Sequence, residues 1–382
     1  MVSLISVADK LISAGERVRP LWFRKWLFSS LFSFYTHMKR LQAVVVQLRL
    51  PVSLVVGESK NGGRLCFLFV GREAFSLYLS DLVFKKPPQV EQEGMVFVWR
   101  LKHIPNGVSS DVDAVLVSCD RFYKRWLEKA GLFVFPHFVD MVLDTSKDLK
   151  ELIHGLSHST KDDVRKVNKN VFSFEISSNI SKMKTFYVDM YLPTLKNRVG
   201  ETDVFIPDFV FLKYLQKSGY ELMVISHKGI EVCGVLFEQK DDMMMLRYAG
   251  VLHGDTDLIK KGAFSAFYYF FMIYAKDQKV NKVDFGGTRP FFDDGLFEYK
   301  RKWGMRVELY DLVKEIFGLR IVSEPGSLKQ FLINNPFIGM NEKNDLTGFI
   351  FVDKKTFTDT MRNQAEKRFQ TPGVNELRFI EL

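Results

Sequence analysis

The chain has 382 residues, more than one compact core usually holds, so we expect two or three domains. Apolar residues make up 47% and charged residues 26% of the chain, a composition that excludes a disordered protein. Lys and Arg number 54 against 45 Asp and Glu, and this surplus favours an anionic partner without selecting one.

The cysteines and the apolar runs bear on the cellular compartment. Cys66, Cys119 and Cys233 are sparse and far apart, so the sequence predicts neither a disulfide framework nor a zinc site and fits a reducing environment. The charge-free apolar runs are shorter than the roughly 20 residues of a membrane-spanning helix. We therefore expect a cytoplasmic protein, with peripheral contact to a membrane left open.

The first predicted element is a helix over residues 17–42, opened near Pro20, in which Arg and Lys are mixed with aromatic residues. One interpretation is a basic amphipathic helix lying on a membrane surface. We favour the alternative of an aromatic-rich helix packed on a sheet, because the aromatic residues are not confined to one face.

From Ala43 the apolar pattern changes to alternation, which indicates strands. The Asn61-Gly62 pair between two apolar runs predicts a hairpin. Further strands are predicted at 75–84, 94–101, 114–118 and 132–143, with a helix from about 120 to 130 that ends at Gly131. This half is predicted to be α/β with a largely antiparallel sheet.

A second α/β half follows the boundary at residues 145–148. Helices are predicted at 147–154, 160–170, 181–195, 207–218 and 263–277, and strands at 221–226, 230–239, 243–252 and up to Gly286. The tail contains a predicted strand at 347–352, which we expect to return to the first domain's sheet, and a helix at 358–369. The predicted fold class is α/β (α+β), with a mixed, mostly antiparallel sheet flanked by helices in each half.

Common catalytic signatures are absent from the sequence. It contains no Walker A motif, no G-x-G-x-x-G after a strand and no G-x-S-x-G elbow. Asp284-Phe285-Gly286 matches a kinase motif by letters only, because no H-R-D loop accompanies it. His154 and His158 lack the glutamate of a zinc protease, so we expect solvated or capping histidines and no metal site.

The densest group of candidate residues lies between Lys282 and Gly304. A strand that ends in Asp-Phe-Gly-Gly places flexible backbone at the edge where α/β sheets usually bind ligands. The helix that follows presents Tyr299 and Lys300, an aromatic face beside a cation, which suits a nucleotide base or a phosphate. The alternative is a turn and an amphipathic helix that packs Phe297 and Trp303 inward.

This stretch resembles the C-terminal signature of Fem-type and FemAB-related proteins of the GNAT (Gcn5-related N-acyltransferase) superfamily. The resemblance is carried by Asp-Phe-Gly-Gly at 284–287, Gly295-Leu296, Tyr299-Lys300 and Trp303-Gly304. Upstream, the basic helix at 156–169 and the aromatic-rich helix at 186–200 are similar to those of the same family. The match covers about 150–310.

The resemblance implies two tandem GNAT-like subdomains. Residues 1–146 would form a degenerate GNAT-like domain, 147–315 the donor-binding domain, and 316–382 an extension. The donor is aminoacyl-tRNA in the Fem ligases and an acyl-coenzyme A in their relatives. If the residue roles of the family apply to this chain, Lys300 would stabilise the oxyanion or a donor phosphate, and Tyr299 would shape the donor pocket. Acyl transfer of this kind needs no covalent enzyme intermediate.

The predicted donor loop departs from the superfamily pattern Q/R-x-x-G-x-G/A. Gly262 fills the first glycine position, but Ile259 and Phe264 replace the first and last residues. Lys260 and Lys261 could compensate through their charge, the alternative being a solvated first turn. The donor-binding residues that we predict are Lys260, Lys261, Gly262, Ala263, Gly286 and Gly287.

An anionic amine acceptor would need basic residues and a carboxylate that accepts its proton. The predicted acceptor-binding residues are Arg165, Lys166, Arg198, Arg247 and Arg289, with solvated surface charge as the alternative. Asp284 and Glu238 are the candidate carboxylates, although Asp284 is equally suited to organise its own loop.

The sequence thus predicts an N-acyltransferase that uses acyl-coenzyme A as co-substrate and has no permanently bound cofactor. The acceptor would be an amino group of a cell-envelope sugar, amino acid or lipid precursor. The alternatives are a Fem-like aminoacyltransferase that uses aminoacyl-tRNA, and a non-catalytic binding protein with the same fold.

Overall fold

The structure is a computed structural model that describes residues 44–71, 79–101, 111–199, 215, 219–310 and 314–382. The helix predicted over 17–42, and that over 207–218 apart from Leu215, lie outside the described residues. The described chain divides into two compact units. The first holds the residues up to Lys60, 64–132 and 318–323, and the second holds 61–63, 133–317 and 324–382.

The first unit is built on a mixed sheet. Its strands are β1 (Arg49–Glu58), β2 (Arg64–Val70), β3 (Gln89–Phe97) and β4 (Ala114–Asp120), and its helices are α1 (Ser80–Val83) and α2 (Lys124–Lys129). The strand order is β3-β1-β2-β4, with β1 antiparallel to both neighbours and β2 parallel to β4. The predicted hairpin is confirmed, and Gly62 and Gly63 supply its positive φ angles.

One predicted strand of this unit is wrong, and another, expected at 94–101, ends at Phe97, after which residues 98–101 form a 3-10 turn. Ser80–Val83, inside the strand expected at 75–84, forms the short helix α1. The reason is tertiary: the Val83 carbonyl accepts a bond from the Lys60 amide, and the Phe84 ring lies against Gly57. These contacts with the β1–β2 hairpin hold the segment in a turn although its apolar residues alternate.

The second unit contains a seven-stranded sheet and a three-stranded sheet. Its strands are β5 (Phe133–Pro136), β6 (Val139–Asp144), β7 (Phe172–Ser177), β8 (Glu221–His227), β9 (Ile230–Lys240), β10 (Met243–Val251), β11 (Lys282–Thr288), β12 (Arg306–Leu309), β13 (Glu315–Ile321, ending in the first unit), β14 (Phe337–Met340), β15 (Leu346–Val352) and β16 (Glu376–Glu381). The large sheet has the order β12-β6-β11-β10-β9-β8-β7, and only β10 and β11 in it are parallel neighbours.

Nine helices of the second unit follow in chain order. They are α3 (Leu149–Gly155), α4 (His158–Lys169), α5 (Ile180–Thr185), α6 (Leu192–Val199), α7 (Thr256–Lys260), α8 (Ala263–Asp277), α9 (Gly295–Lys302), α10 (Gly326–Asn334) and α11 (Asp359–Phe369), as far as the described residues go. A π-helical turn, Phe186–Tyr191, joins α5 to α6, so the predicted helix 181–195 is continuous but irregular. α8 is buried along most of its length, as its apolar sequence predicts.

The tail departs from its prediction in one respect. The strand at 347–352 and the helix at 358–369 form, but β15 pairs with β14 and β16 in the small sheet and does not join the first unit's sheet. β15 is buried along its whole length, as expected for the central strand of a covered sheet. The predicted fold class, mixed and mostly antiparallel sheets flanked by helices, is confirmed.

Candidate functional site

A bulge in β11 gives the candidate site its shape. Asp284 lies opposite Val142 of β6, but Gly287 lies opposite Asp140, so one extra residue is accommodated at Phe285–Gly286. Alternate strand residues share a face, so Asp140 and Val142 point the same way, and the bulge brings Asp284 and Gly287 to that face. Glycine at 287 leaves no side chain beside Asp140 on the β11 side, whereas Glu308 lies opposite Asp140 on the β12 side.

Lys300 holds this bulge in place. Its side chain is almost fully buried, and its Nζ donates to the carbonyl oxygens of Phe285 and Gly286 at 2.7 Å and of Gly287 at 3.4 Å. Three acceptors match the three hydrogens of an ammonium group. The Asp284 Oδ1 accepts the Gly286 amide at 2.7 Å from the other side of the same turn.

The two carboxyl groups on this face are withdrawn from solvent, Asp284 almost fully and Asp140 in part, and the pKa of each is raised. Burial raises the pKa of Asp140 from 3.8 to about 7; the Asp284 charge raises it further, whereas the Lys300 and Arg247 charges lower it. Burial also raises the pKa of Asp284. The Asp140 Oδ1 is buried and has no hydrogen-bond partner within the described ranges. A carboxyl group in this condition can exchange a proton near neutral pH.

An ion pair flanks these carboxyl groups. Arg247 lies at the bulge in β10, and its guanidinium binds the Glu238 carboxylate at 2.6–2.7 Å. The Glu238 carboxylate is therefore neutralised by an ion pair with Arg247, whereas Asp140 makes no such pair with Arg247. β10 and β11 pair only over three residues, ending at Met245 and Asp284, so the two parallel strands stop pairing immediately before this cluster.

A separate cavity of about 580 Å³ opens at the N-terminal end of α8. Its walls come from α4, α6, the α7–α8 loop and the start of α9, and they include Lys166, Thr194, Asn197, Gly254, Lys260, Lys261, Gly262, Ser265, Leu296 and Tyr299. A cavity of this size accommodates a cofactor-sized ligand.

The loop before α8 makes this end of the cavity suited to an anion. Gly262 adopts a positive φ of 103°, which directs the chain into the helix without a side-chain cap. The first-turn amides of a helix have no acceptor inside it, and the helix dipole is positive there. Lys260 is bound to Asp257 at 2.9 Å, whereas Lys261 makes no ion pair with the described residues.

The opposite wall of the cavity is rigid. Thr194 Oγ1 donates to the Val251 carbonyl and accepts the Val251 amide, and Asn197 Nδ2 donates to the Gly254 carbonyl at 2.9 Å. Tyr299 Oη lies 3.2 Å from Ser265 Oγ, and burial raises the pKa of Tyr299. This phenol therefore remains a neutral wall of the cavity at ordinary pH.

The predicted site residues thus separate into two groups. Lys300, Asp284, Gly286 and Gly287 lie together at the β11 bulge, beside Arg247; Tyr299, Lys260, Lys261, Gly262 and Lys166 lie around the cavity, which Ala263 adjoins. Arg165 is exposed and paired with Asp162, and Arg289 follows β11 with partial burial. The Arg198 side chain lies outside the described residues.

Asp140 is the main residue that the sequence reasoning missed. A signal existed, because Asp140 is the only charged residue between Phe133 and Leu143, in a stretch of strand-forming apolar residues. A lone carboxylate in a buried strand needs either a partner or a function. Thr194 and Asn197 carried no such signal, since both lie in an ordinary amphipathic helix.

Within the described residues, no cluster of His, Cys, Asp and Glu is suited to hold a metal ion. Over the same part of the chain, none of the helices is both long and apolar enough to span a bilayer.

No family model matches the chain, and no curated protein matches it. Similar solved structures include FemX, at 15% identity over 69% of this chain and 83% of that one, with a TM-score of 0.36. Others are L-PGS from Bacillus licheniformis (12% identity, 70% and 84% coverage, TM-score 0.35) and a tandem GNAT protein from the clavulanic acid biosynthesis pathway (10%, 68% and 78%, 0.29). Likenesses this distant assign the chain neither to a family nor to an activity.

Proposed function

We propose that this protein is a GNAT-like N-acyltransferase that transfers an acyl group from acyl-coenzyme A to an amine. The acceptor would be an amino group of a cell-envelope sugar, amino acid or lipid precursor. The observation that carries the proposal is Asp140, a partly buried carboxyl group whose Oδ1 is buried and unpartnered among the described residues and whose pKa lies near neutrality. Amine acylation needs a proton acceptor of that kind.

In the proposed reaction, the amine nitrogen attacks the thioester carbonyl carbon and gives one proton to the Asp140 carboxylate. The new C–N bond forms as the C–S bond breaks, and the thiolate of coenzyme A leaves and takes up the proton. Burial, and then the charge of Asp284 on the same face, keep the Asp140 pKa high. A base with a pKa near the working pH combines an available ionised form with sufficient basicity.

We place the donor in the cavity at the start of α8. The first-turn amides and Lys261 would bind its phosphates, with Lys260 and Lys166 adding positive charge at the rim. Tyr299 would form the wall beside the acyl-bearing arm. Arg247, which lies beside the carboxyl groups, is the proposed contact for an anionic acceptor.

For Lys300 we propose a positioning role. Its Nζ already contacts three backbone carbonyls, so it fixes the β11 bulge and with it the spacing between Asp284 and Asp140. In this arrangement the oxyanion of the transfer reaction would be stabilised by backbone amides at the end of the β10–β11 pairing.

Transfer of radiolabelled acetyl groups tests the proposal. Acetyl-coenzyme A is incubated with the protein and an envelope-precursor fraction, and the label is expected to become base-stable, as an amide is. Asp140→Asn should lower the rate by about 10²–10⁴-fold, while Asp277→Asn, an exposed carboxylate on α8, should not change it. Transfer only from charged tRNA, or full activity of Asp140→Asn, would contradict the proposal.

A further inference from the structure

One edge of the first unit's sheet exposes a group of large apolar side chains. The register puts Arg49 opposite Phe97, Val52 opposite Val70, and Val70 beside Val117, so the start of β1 and the ends of β2, β3 and β4 meet at this edge. We use "aromatic edge" for the exposed apolar residues here: Val45, Val46, Leu48, Phe97, Trp99, Phe122 and Trp126. Phe122 is 60% exposed and Trp99 46%.

The aromatic edge is continuous. The Phe97 and Trp99 rings stack with centroids 4.6 Å apart, and the Val98 amide between them donates to the Leu48 carbonyl. Residues 44–48 then lead to the second aromatic group, because the Tyr123 hydroxyl donates to the Val44 carbonyl at 2.6 Å. The Phe122 and Trp126 rings lie beside Tyr123, 6.2 Å apart.

Positive charge surrounds these apolar side chains. The Arg49 guanidinium lies 5.7 Å from the centre of the Phe97 ring, and Arg100 and Arg125 are exposed beside Trp99 and Trp126. Two acids beside the Phe122 and Trp126 rings are engaged within the unit: Asp120 accepts the Phe122 amide, and Glu128 binds Lys124 at 2.5 Å. The sequence that precedes Val44 continues the same composition, arginines and lysines among aromatic residues.

We propose that the aromatic edge binds the surface of an anionic lipid bilayer. Trp99 and Trp126 would lie at the level of the headgroups, where the apolar body and polar N–H of an indole are both accommodated. The arginines would contact lipid phosphates. A second copy of the chain fits less well, because two such edges facing each other would bring their arginines together.

Co-sedimentation of the full chain with vesicles tests this surface directly. We expect binding to vesicles of phosphatidylcholine mixed with phosphatidylglycerol and much weaker binding to phosphatidylcholine alone. Trp99→Ser combined with Trp126→Ser should weaken the partition by about tenfold or more. Ile230→Ser combined with Met361→Ser, two exposed apolar residues elsewhere, should leave it unchanged, and thermal unfolding checks that both variants are folded.

Fluorescence quenching locates the contact. In a chain with Trp22→Phe and Trp26→Phe, the remaining indoles are Trp99, Trp126 and the buried Trp303. Brominated lipids in the anionic vesicles should quench the emission of the exposed Trp99 and Trp126 and leave that of the buried Trp303. The proposal is overturned by a lack of binding to anionic vesicles, by full binding of the Trp99/Trp126 variant, or by a dimer in solution that this variant abolishes.

Discussion

At the scale of single residues, Asp140 and Lys300 set the chemistry of the candidate site in opposite ways. Asp140 is a partly buried acid with a buried, unpartnered oxygen among the described residues, and Lys300 is a buried base that binds three backbone carbonyls of one turn. Asp140 thus has unused hydrogen-bonding capacity, whereas the three ammonium hydrogens of Lys300 already have acceptors. We therefore assign proton transfer to Asp140 and structural support to Lys300.

Asp140 should make the stability of the protein depend on pH. Its folded-state pKa of about 7 lies above the usual 3.8, so the folded chain binds the proton more tightly than the unfolded chain does. Its contribution is therefore fully present below about pH 4 and is lost as the pH rises through 7. The unfolding free energy of the original chain should fall across that window. In Asp140→Asn this fall should be smaller by on the order of 2–4 kcal/mol.

Denaturant titrations at several pH values measure this difference. Asp277→Asn, an exposed control, should keep the pH dependence of the original chain. An identical slope in the original chain and in Asp140→Asn would show that Asp140 titrates normally, and it would remove the basis for its role as the proton acceptor.

Lys300→Met should destabilise the second unit by about 2–4 kcal/mol, because it leaves buried carbonyl groups of the β11 bulge without a donor. Since the Lys300 charge lowers the Asp140 pKa, the same variant should raise that pKa above its present value. Lys302→Met on the same helix breaks only an exposed pair with Glu298 and should cost less than about 1 kcal/mol.

Chemical denaturation and carbon-13 NMR of the aspartate carboxyls provide the two readings for the Lys300 prediction. Loss of stability with an unchanged Asp140 pKa would mean that Lys300 supports the strand but has no electrostatic influence on Asp140.

At the scale of elements, irregular backbone places the site. The β11 bulge aligns two acids, the β10 bulge places Arg247, and the π-helical turn at Phe186–Tyr191 packs on the sheet. Two glycines allow the π-helical turn to pack against the sheet. A methyl group on Gly234 would overlap the Phe186 ring, and one on Gly250 would lie 2.5 Å from the Met190 carbonyl oxygen.

Gly250→Ala should therefore destabilise the protein by about 1–3 kcal/mol or more, since a backbone carbonyl is less able to move than a side chain. Gly155→Ala, at the end of α3 with open space around it, should be neutral or slightly stabilising. Thermal unfolding of the two variants measures the contrast. Equal melting temperatures would show that the π-helical turn is not packed as closely as described.

The elements differ in how far the sequence predicts them. The hairpin at Asn61-Gly62, the strands at 221–251 and the helix at 263–277 follow from turn residues and apolar periodicity, and they form where predicted. Asp140 and the β11 bulge depend on which strands become neighbours, β6 beside β11. That pairing joins residues more than a hundred positions apart, and no local pattern encodes it.

At the scale of the whole molecule, the two units carry different features. The cavity, the carboxyl pair and Lys300 all belong to the second unit, whereas the aromatic edge belongs to the first. The proposed chemistry and the proposed membrane contact therefore rest on separate residues. Variants that disable the proposed chemistry should therefore leave membrane binding measurable, and variants of the aromatic edge should leave the chemistry measurable.

Isothermal titration with acetyl- and longer acyl-coenzyme A tests the donor assignment most directly. We expect micromolar binding, about −8 kcal/mol, that Lys261→Ala weakens and that the exposed control Lys343→Ala leaves unchanged. Asp140→Asn should bind the donor as the original chain does, because Asp140 is not part of the cavity lining. No heat with any acyl-coenzyme A, or equal affinity in Lys261→Ala, would contradict the account.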